Sequence, residues 1–532
     1  MDLNTLIHWL ANAVNRVTWS TLLVFLCTII VILFCKIIKF LFQLQDKRQQ
    51  PALPPGPYGL PVIGNLLQLG TSPHVTLKEL SKVYGDIISL KLGSRKVVCV
   101  NSFASVKEAA SCHALNGRPP LYSFEISSYG GRSCIFSTYS MLYLHNKKTV
   151  ARALHYSLLE NSERLNFLAA DEGKSLIAEL IKNEKQPVNP IPFIKTTVIN
   201  FAFRMTFGEC HDKNLKAELQ NLIELSVDFL ENSAAGNILD FMPWLHFAFK
   251  KQAQKMKSAN DTLREFVRRI LKDCRDNKEN TRETSVVSAM IKTLRKNALS
   301  DLARQLSEPE QEILRDEEAL LTQLVADVFA ASLETVAATL CWSIPFLVWN
   351  QDLQQQMHDE LDQQLGLQAE GPFIEDRAKL PFLQATVLEL LRLSTVLPFG
   401  LPHFAMEDTF LSGYHIPKDT LVMLNLWAAN RDPKQFEQPD KFNPYRFLDK
   451  SGQVRQDYHS HYLTFSGGSR RCIGGSVAKA ELFLLLGTLL KNVSFTPANN
   501  MPDMEGNFGL SLRPKAYKIY ARRRVAEPVP SS

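Results

Sequence analysis

Phe465-Ser-Gly-Gly-Ser-Arg-Arg-Cys-Ile-Gly474 is the stretch on which the reading of this 532-residue chain turns. It carries three glycines, and Gly475 follows directly. Glycine lets the backbone turn tightly and come close to something bulky and flat. Val477 to Leu490 then reads as an apolar helix, which places Cys472 just ahead of a helix N-terminus. The macrodipole, Arg470 and Arg471 all favour thiolate over thiol there. A thiolate on a glycine-rich loop is a good axial ligand for haem iron. Alone, Cys472 would read as one small buried residue among nine cysteines; its setting argues otherwise.

Upstream, Glu318 to Ile344 reads as a helix of about 40 Å. Beyond Glu318 its only charged residues are Asp327 and Glu334, on one face with Ala331 and Thr335 close by. So apolar a helix is buried, and a buried carboxylate needs a partner or a proton to carry. Taken in isolation, the helix reads as a core helix with two satisfied acids. Glu389-Leu-Leu-Arg392 sets an acid and a guanidinium one turn apart, a commonplace pair on its own. Leu397-Pro-Phe-Gly-Leu-Pro-His403 is forced into an extended, turned course. Ile87 to Val100 reads as two strands about a Gly-Ser turn, and most of the chain from there to Gln364 reads as helices. Asn277 to Asp316 is polar and reads as a solvated weak boundary, with an acidic stretch from Ser307.

The front end differs in kind. Val17 to Cys35 holds 19 uncharged residues, about 28 Å as a helix, close to the hydrocarbon thickness of a bilayer. Lys36, Lys39, Lys47 and Arg48 follow it, against Arg16 and Asp2 ahead. That excess places the C-terminal side in the cytosol and reads as a signal anchor rather than a cleaved signal peptide. Pro51 to Pro61 carries five prolines in eleven residues and forbids helix. The domain reading is therefore an anchor and linker over 1–50 (span about 17–35) and one catalytic domain over 51–532. A hydrophobic content of 45% suffices for one large core, and a net charge of +6 gives nucleic-acid binding no support. Cysteines without paired spacing argue against a disulfide framework or a zinc site and suit a reducing compartment.

Phe465, Gly468, Arg470, Cys472 and Gly474 fill every fixed position of Phe-x-x-Gly-x-Arg-x-Cys-x-Gly, and on that string the chain resembles the cytochrome P450 family, in its microsomal, animal form. The resemblance runs from about residue 51 to the end. It implies a mainly α fold with a small β-rich part, preceded by one transmembrane helix, and haem b held between the Glu318–Ile344 helix and the cysteine loop. By resemblance Cys472 is the iron ligand, Arg470 and His403 meet haem propionates, and Phe465 packs near the sulfur. Ala331-Ser-Leu-Glu-Thr335 is similar to the oxygen-activating Ala-Gly-x-x-Thr, with Glu334 and Thr335 as the acid–alcohol pair and Ser332 in place of glycine. Glu389, Arg392 and Arg446 of Pro444-Tyr-Arg-Phe447 form the implied structural triad. The Trp-x-x-x-Arg that holds the other propionate is matched only as Tyr143-Leu-His-Asn-Lys147, or in a second register from Leu144 to Lys148. Lys147 keeps the charge without the planar fork.

The implied activity is a monooxygenase that inserts one atom of dioxygen into a hydrophobic steroid, fatty acid or foreign compound. NADPH-cytochrome P450 reductase would supply electrons, with cytochrome b5 as a second donor, at the endoplasmic reticulum membrane. Lys147, Lys148, Arg471 and Lys479 would offer a basic docking face. Pocket residues are expected in Arg118–Phe136, Val396–Gly400 and Asn507–Ser511. Two rivals stand beside this reading: a haem-thiolate isomerase or dehydratase that needs no reductase, and a haem-binding sensor without turnover.

Overall fold

The computed structural model describes residues 52–524 apart from 210–213, 233–236, 277–284 and 297–303, together with five positions between 24 and 34. Five helices carry or brace the candidate site: α1 (Met141–Leu159), α2 (Ile191–Phe207), α3 (Glu317–Trp349), α4 (Pro381–Ser394) and α5 (Gly475–Asn492). The 33-residue α3 starts where Asp316 accepts the Ala319 N–H at 3.1 Å, with Glu317 and Glu318 in its positive first turn. It is apolar on every side and therefore central, packing against α2, α4 and α5. It extends past the expected end and through Pro345 to Trp349, whose indole donates to the Pro502 carbonyl at 2.8 Å. Among the described residues it is the one helix long and apolar enough to cross a membrane, and its burial within the domain makes it a core helix.

A small mixed sheet stands beside the helices. It is built from β1 (Ile87–Leu92), β2 (Arg95–Val100), β3 (His403–Phe404) and β4 (Leu421–Leu424), in the order β1-β2-β4-β3. The expected hairpin is β1 with β2, Ile87 facing Val100 and Leu92 facing Arg95. Two short antiparallel pairs close the C-terminal part: β5 (Val493–Pro497) with β8 (Ile519–Arg523), and β6 (Gly506–Phe508) with β7 (Leu512–Pro514).

The proline stretch is not a free linker. From Pro55 onward it lies on β1: Ser89 N–H donates to the Pro55 carbonyl at 2.8 Å, and a Cβ on Gly56 would fall 1.8 Å from the Ser89 oxygen. Segment 277–316 also departs from the expected boundary. Val286–Lys296 is a helix that buries Val286, Val287 and Met290 and packs on α1. The acidic stretch starts another helix, with the Ser307 N–H bonded to Glu310 at 3.1 Å.

Residues 54–412 and 416–532 form one compact unit, and Met1–Leu53 with Gly413–His415 form another. The anchor over 17–35 lies outside the described residues, save that Val24, Cys27, Thr28, Val31 and Phe34 are helical and exposed.

Candidate active site

The cysteine loop is locked by its own backbone. Ser466 N–H donates to the Leu463 carbonyl at 2.8 Å, and Cys472 N–H donates to the Phe465 carbonyl at 3.0 Å. Gly468 has φ +59°, and a Cβ there would stand 1.9 Å from the Ala110 oxygen, so no other residue fits without moving backbone. The Phe465 ring fills the space over Gly475, 3.2 Å from where a Cβ would sit, whereas a Cβ on Gly474 would meet nothing within 4 Å. Cys472 is accessible although protein surrounds it, so it faces an enclosed space. Burial pushes its thiol up, against the pull of the Gly474 and Gly475 N–H groups, Lys147 and Arg471. This corrects the expectation from the helix terminus: desolvation outweighs the local positive potential. A thiolate here needs a bound metal ion, which deprotonates a coordinating thiol outright.

Three cationic or cation-forming side chains converge beside the loop, Arg470 and His403 buried and Arg118 partly so. Arg470 donates through Nε to the Asn116 carbonyl at 2.8 Å and through Nη2 to the Ser137 carbonyl at 3.0 Å, while its Nη1 has no partner. Arg118 donates to the carbonyls of Ile135 and Pro402, both at 3.1 Å. His403 Nδ1 lies 2.8 Å from the Leu115 carbonyl, which can only accept, so Nδ1 carries the proton. Burial, then Arg118, then Arg470 pull this imidazole down to about 3. Burial and Arg470 likewise hold Arg118 below its ordinary value. No acidic side chain among the described residues pairs with either arginine. Desolvated charges are ordinarily paired, so an anion would complete the set. Arg118 was singled out in the sequence only as the start of a pocket segment. Its signal is that Asn116, two residues before it, accepts from Arg470, which no spacing reveals.

On α3, Ala330 and Ala331 are exposed within a helix otherwise buried on both sides of them, and so mark an interior surface. Thr335 Oγ1 donates to the Ala331 carbonyl at 2.8 Å, and Ser332 Oγ donates to the Phe329 carbonyl at 2.7 Å. Both hydroxyls fold back on the helix, which Ser332 does not break. Glu334, the neighbour of Thr335 in the chain, is buried at 5% exposure amid Lys195 at 3.9 Å, Arg513 at 3.8 Å and the Ser511 hydroxyl at 3.3 Å. Asp327 accepts from the Ser133 hydroxyl at 2.8 Å, the Cys134 N–H at 2.7 Å and Gln323 at 2.7 Å, which ties α3 to the 133–136 loop.

The three expected pocket segments do meet. Leu121 and Phe124, Phe399 and Gly400, and Phe508 and Leu510 line one narrow apolar cleft, joined by Phe241 and Met423. A roomier groove of about 780 Å³ lies beside Arg446 and Arg455, but its wall is polar. The apolar cleft is therefore the candidate substrate site. The triad also forms: Glu389 binds Arg392 through both oxygens at 2.7 and 2.8 Å and Arg446 at 3.0 Å. Of the expected docking cations, Lys148 and Arg471 are exposed. Lys147 donates to backbone carbonyls of the cysteine loop, and Lys479 donates to the Tyr458 hydroxyl at 3.0 Å.

A mainly α domain with an accessible cysteine on a glycine-shaped loop, a set of cations beside it and a long apolar core helix defines the haem-thiolate class. Residues 54–521 match the cytochrome P450 family profile. Cytochrome P450 1A1 of Sparus aurata is 34% identical over 485 residues, 88% of this chain and 90% of its own. Cytochrome P450 1A5 of Gallus gallus is 32% identical over 476 residues, 87% and 88% of the two chains. A zebra fish cytochrome P450 structure with abiraterone superposes with a TM-score of 0.69 at 26% identity, covering 86% of this chain and all of that one. The chain belongs to the cytochrome P450 family. Its members bind haem b, which fits two guanidinium groups without acidic partners among the described residues, buried Arg470 with an unpartnered Nη1 among them, and its activity is that of a monooxygenase.

Proposed function

We propose that this chain is a membrane-anchored monooxygenase of hydrophobic small molecules of the steroid, fatty acid or xenobiotic class, driven by NADPH through cytochrome P450 reductase. The observation that carries the reading is the accessible Cys472 on its glycine-shaped loop beside buried Arg470 and partly buried Arg118, neither with a carboxylate partner among the described residues. Cys472 would ligate the iron, and Arg470, Arg118 and His403 would receive the propionates. With an anion beside it, His403 Nε2 would gain a proton that its present surroundings deny it. Haem b held there supplies dioxygen activation, one oxygen atom going to substrate and the other to water.

The chain's own residues do the rest. Phe124, Phe399 and Phe508, which line the narrow cleft, would give an apolar substrate its surroundings. Thr335 holds a proton at Oγ1 on the accessible surface of α3. Glu334 acts at most through the helix it anchors. For the membrane, Tyr58, Leu60 and Val62 are exposed, as are Trp244 and Phe247. Their two segments meet at the β1–β2 turn, where Gly93 N–H bonds the Ile63 carbonyl and Ser94 N–H bonds Phe241, both at 3.0 Å. That apolar surface supports the catalytic domain lying against a bilayer, with Lys148 and Arg471 left for the reductase.

The experiment is turnover of a steroid and fatty acid panel by the purified full chain, with and without NADPH and reductase. Product only with both is expected. Product without either would support the isomerase or dehydratase reading, and ligand-dependent spectral shifts without NADPH consumption would support the sensor. Cys472→Ser should abolish the thiolate-type carbon monoxide spectrum, while Cys274→Ser should leave it intact.

A further inference from the structure

Tyr143 and Lys147 stand one turn apart on α1, so their side chains share a face. Both end on the same atom. The Tyr143 hydroxyl donates to the Ser469 carbonyl at 3.2 Å, and Lys147 Nζ donates to it at 2.5 Å. Nζ also reaches the Arg471 carbonyl at 3.4 Å. Those carbonyls belong to the residues three before and one before Cys472. The Tyr143 ring meanwhile lies 3.9 Å from the Arg470 guanidinium carbon, holding the next cation of the loop over its face. Half-buried Lys147 is near enough to Cys472 for the two charges to influence each other.

An ammonium has three donors and no fork. With two directed at loop carbonyls, Lys147 is a poor candidate to clamp a carboxylate, and the pocket already offers Arg118, Arg470 and His403 for that purpose. We propose that Tyr143 and Lys147 are positioning residues of the cysteine loop rather than propionate ligands, bracing the Ser469–Arg471 backbone and setting a fixed positive charge beside the Cys472 sulfur. The inference rests on Cys472 being the haem ligand. A nearby cation disfavours the more positively charged, oxidised iron, so Lys147 raises the reduction potential. The shared carbonyl restrains the loop against loss of the thiolate bond.

The test uses the full-chain holoenzyme with Lys147→Met, Lys147→Arg, Tyr143→Phe and the Lys147→Met/Tyr143→Phe double variant. Three quantities are read: the reduction potential, the haem content, and the rate at which the reduced carbon monoxide complex loses its thiolate-type spectrum in mild guanidinium. Lys147→Met should lower the potential and speed the spectral loss by about tenfold, the scale of a charged hydrogen bond. Lys147→Arg should restore the potential. The double variant should fall short of the product of the single effects, because both donors serve one carbonyl. All should persist when haem dimethyl ester replaces haem b. Effects that vanish with the ester would make Lys147 a propionate ligand and overturn the proposal, as would an unchanged potential and loss rate in Lys147→Met or full multiplicativity in the double variant. A thiolate-type spectrum surviving in Cys472→Ser would instead refute the ligand assignment beneath it.

Discussion

Replacing Glu389 by Gln keeps the shape of the triad's acid and removes its charge. Glu389 has no solvent exposure and accepts four donors. Oε1 takes Arg392 Nη2 at 2.8 Å, Arg446 Nε at 3.0 Å and the Asn443 N–H at 2.8 Å. Oε2 takes only Arg392 Nε, at 2.7 Å. A glutamine would therefore keep its oxygen at the Oε1 site and turn its NH₂ against Arg392 Nε, two donors face to face. Arg392 retains the carbonyls of Asn430 and Pro439, both at 2.7 Å, but two guanidinium groups lose their counter-charge. Breaking a buried ion pair from one side costs about 3–5 kcal/mol. For a body of about 470 residues the unfolding entropy is about 1 kcal/mol per kelvin, so the midpoint should fall by about 3–5 °C. The assay is circular-dichroism melting of matched holoprotein, with haem content from the carbon monoxide spectrum. Lys82→Gln, which breaks an exposed pair to Glu79, is the control and should change neither. A Glu389→Gln midpoint within a degree of the parent, at normal haem content, would refute the reasoning that buried charge balance holds the triad.

Thr335→Ala should keep haem and substrate binding but divert electrons from product to peroxide, with a loss toward the low end of about 10²–10⁴-fold. Glu334→Gln, which loosens contacts to Lys195, Arg513 and Ser511, should lower stability more than product formed per NADPH; the reverse ranking would restore Glu334 as the working acid. Burial raises the Asp327 carboxyl to about 6, against its bonds from Ser133, Gln323 and Cys134, so its stabilising contribution is complete below about pH 4 and lost as pH rises through about 6. Asp327→Asn, which does not titrate, should therefore gain about 1 kcal/mol on the parent between pH 5 and pH 7; melting curves that move in parallel would disprove it. Gly468→Ala combines a positive φ with a Cβ 1.9 Å from the Ala110 oxygen and should yield little haem-loaded protein, which normal expression with a full carbon monoxide spectrum would contradict.

Local patterns were legible because their physics is local. Alternation and a Gly-Ser turn made β1 and β2, unbroken apolarity made α3, and the ten residues ending at Gly474 carried enough fixed positions to reveal the family without any contact being known. Glu389, Arg392 and Arg446 were joined from the sequence only through the resemblance, since one pair at i and i+3 is commonplace. Tertiary structure decided what depends on neighbours distant in the chain. The Pro55–Gly56 segment lies on β1 because Ser89 takes its carbonyl. Glu334 is held in an ion-pair network because α2 and the segment around Ser511 bring Lys195, Arg513 and a hydroxyl to it. Arg118 belongs with Arg470 and His403 because the residues just before it give their carbonyls to both, Leu115 to His403 and Asn116 to Arg470. The Cys472 thiol sits high rather than low without metal because desolvation is a property of the whole surrounding fold, whereas the helix terminus and adjacent arginines are visible in ten residues.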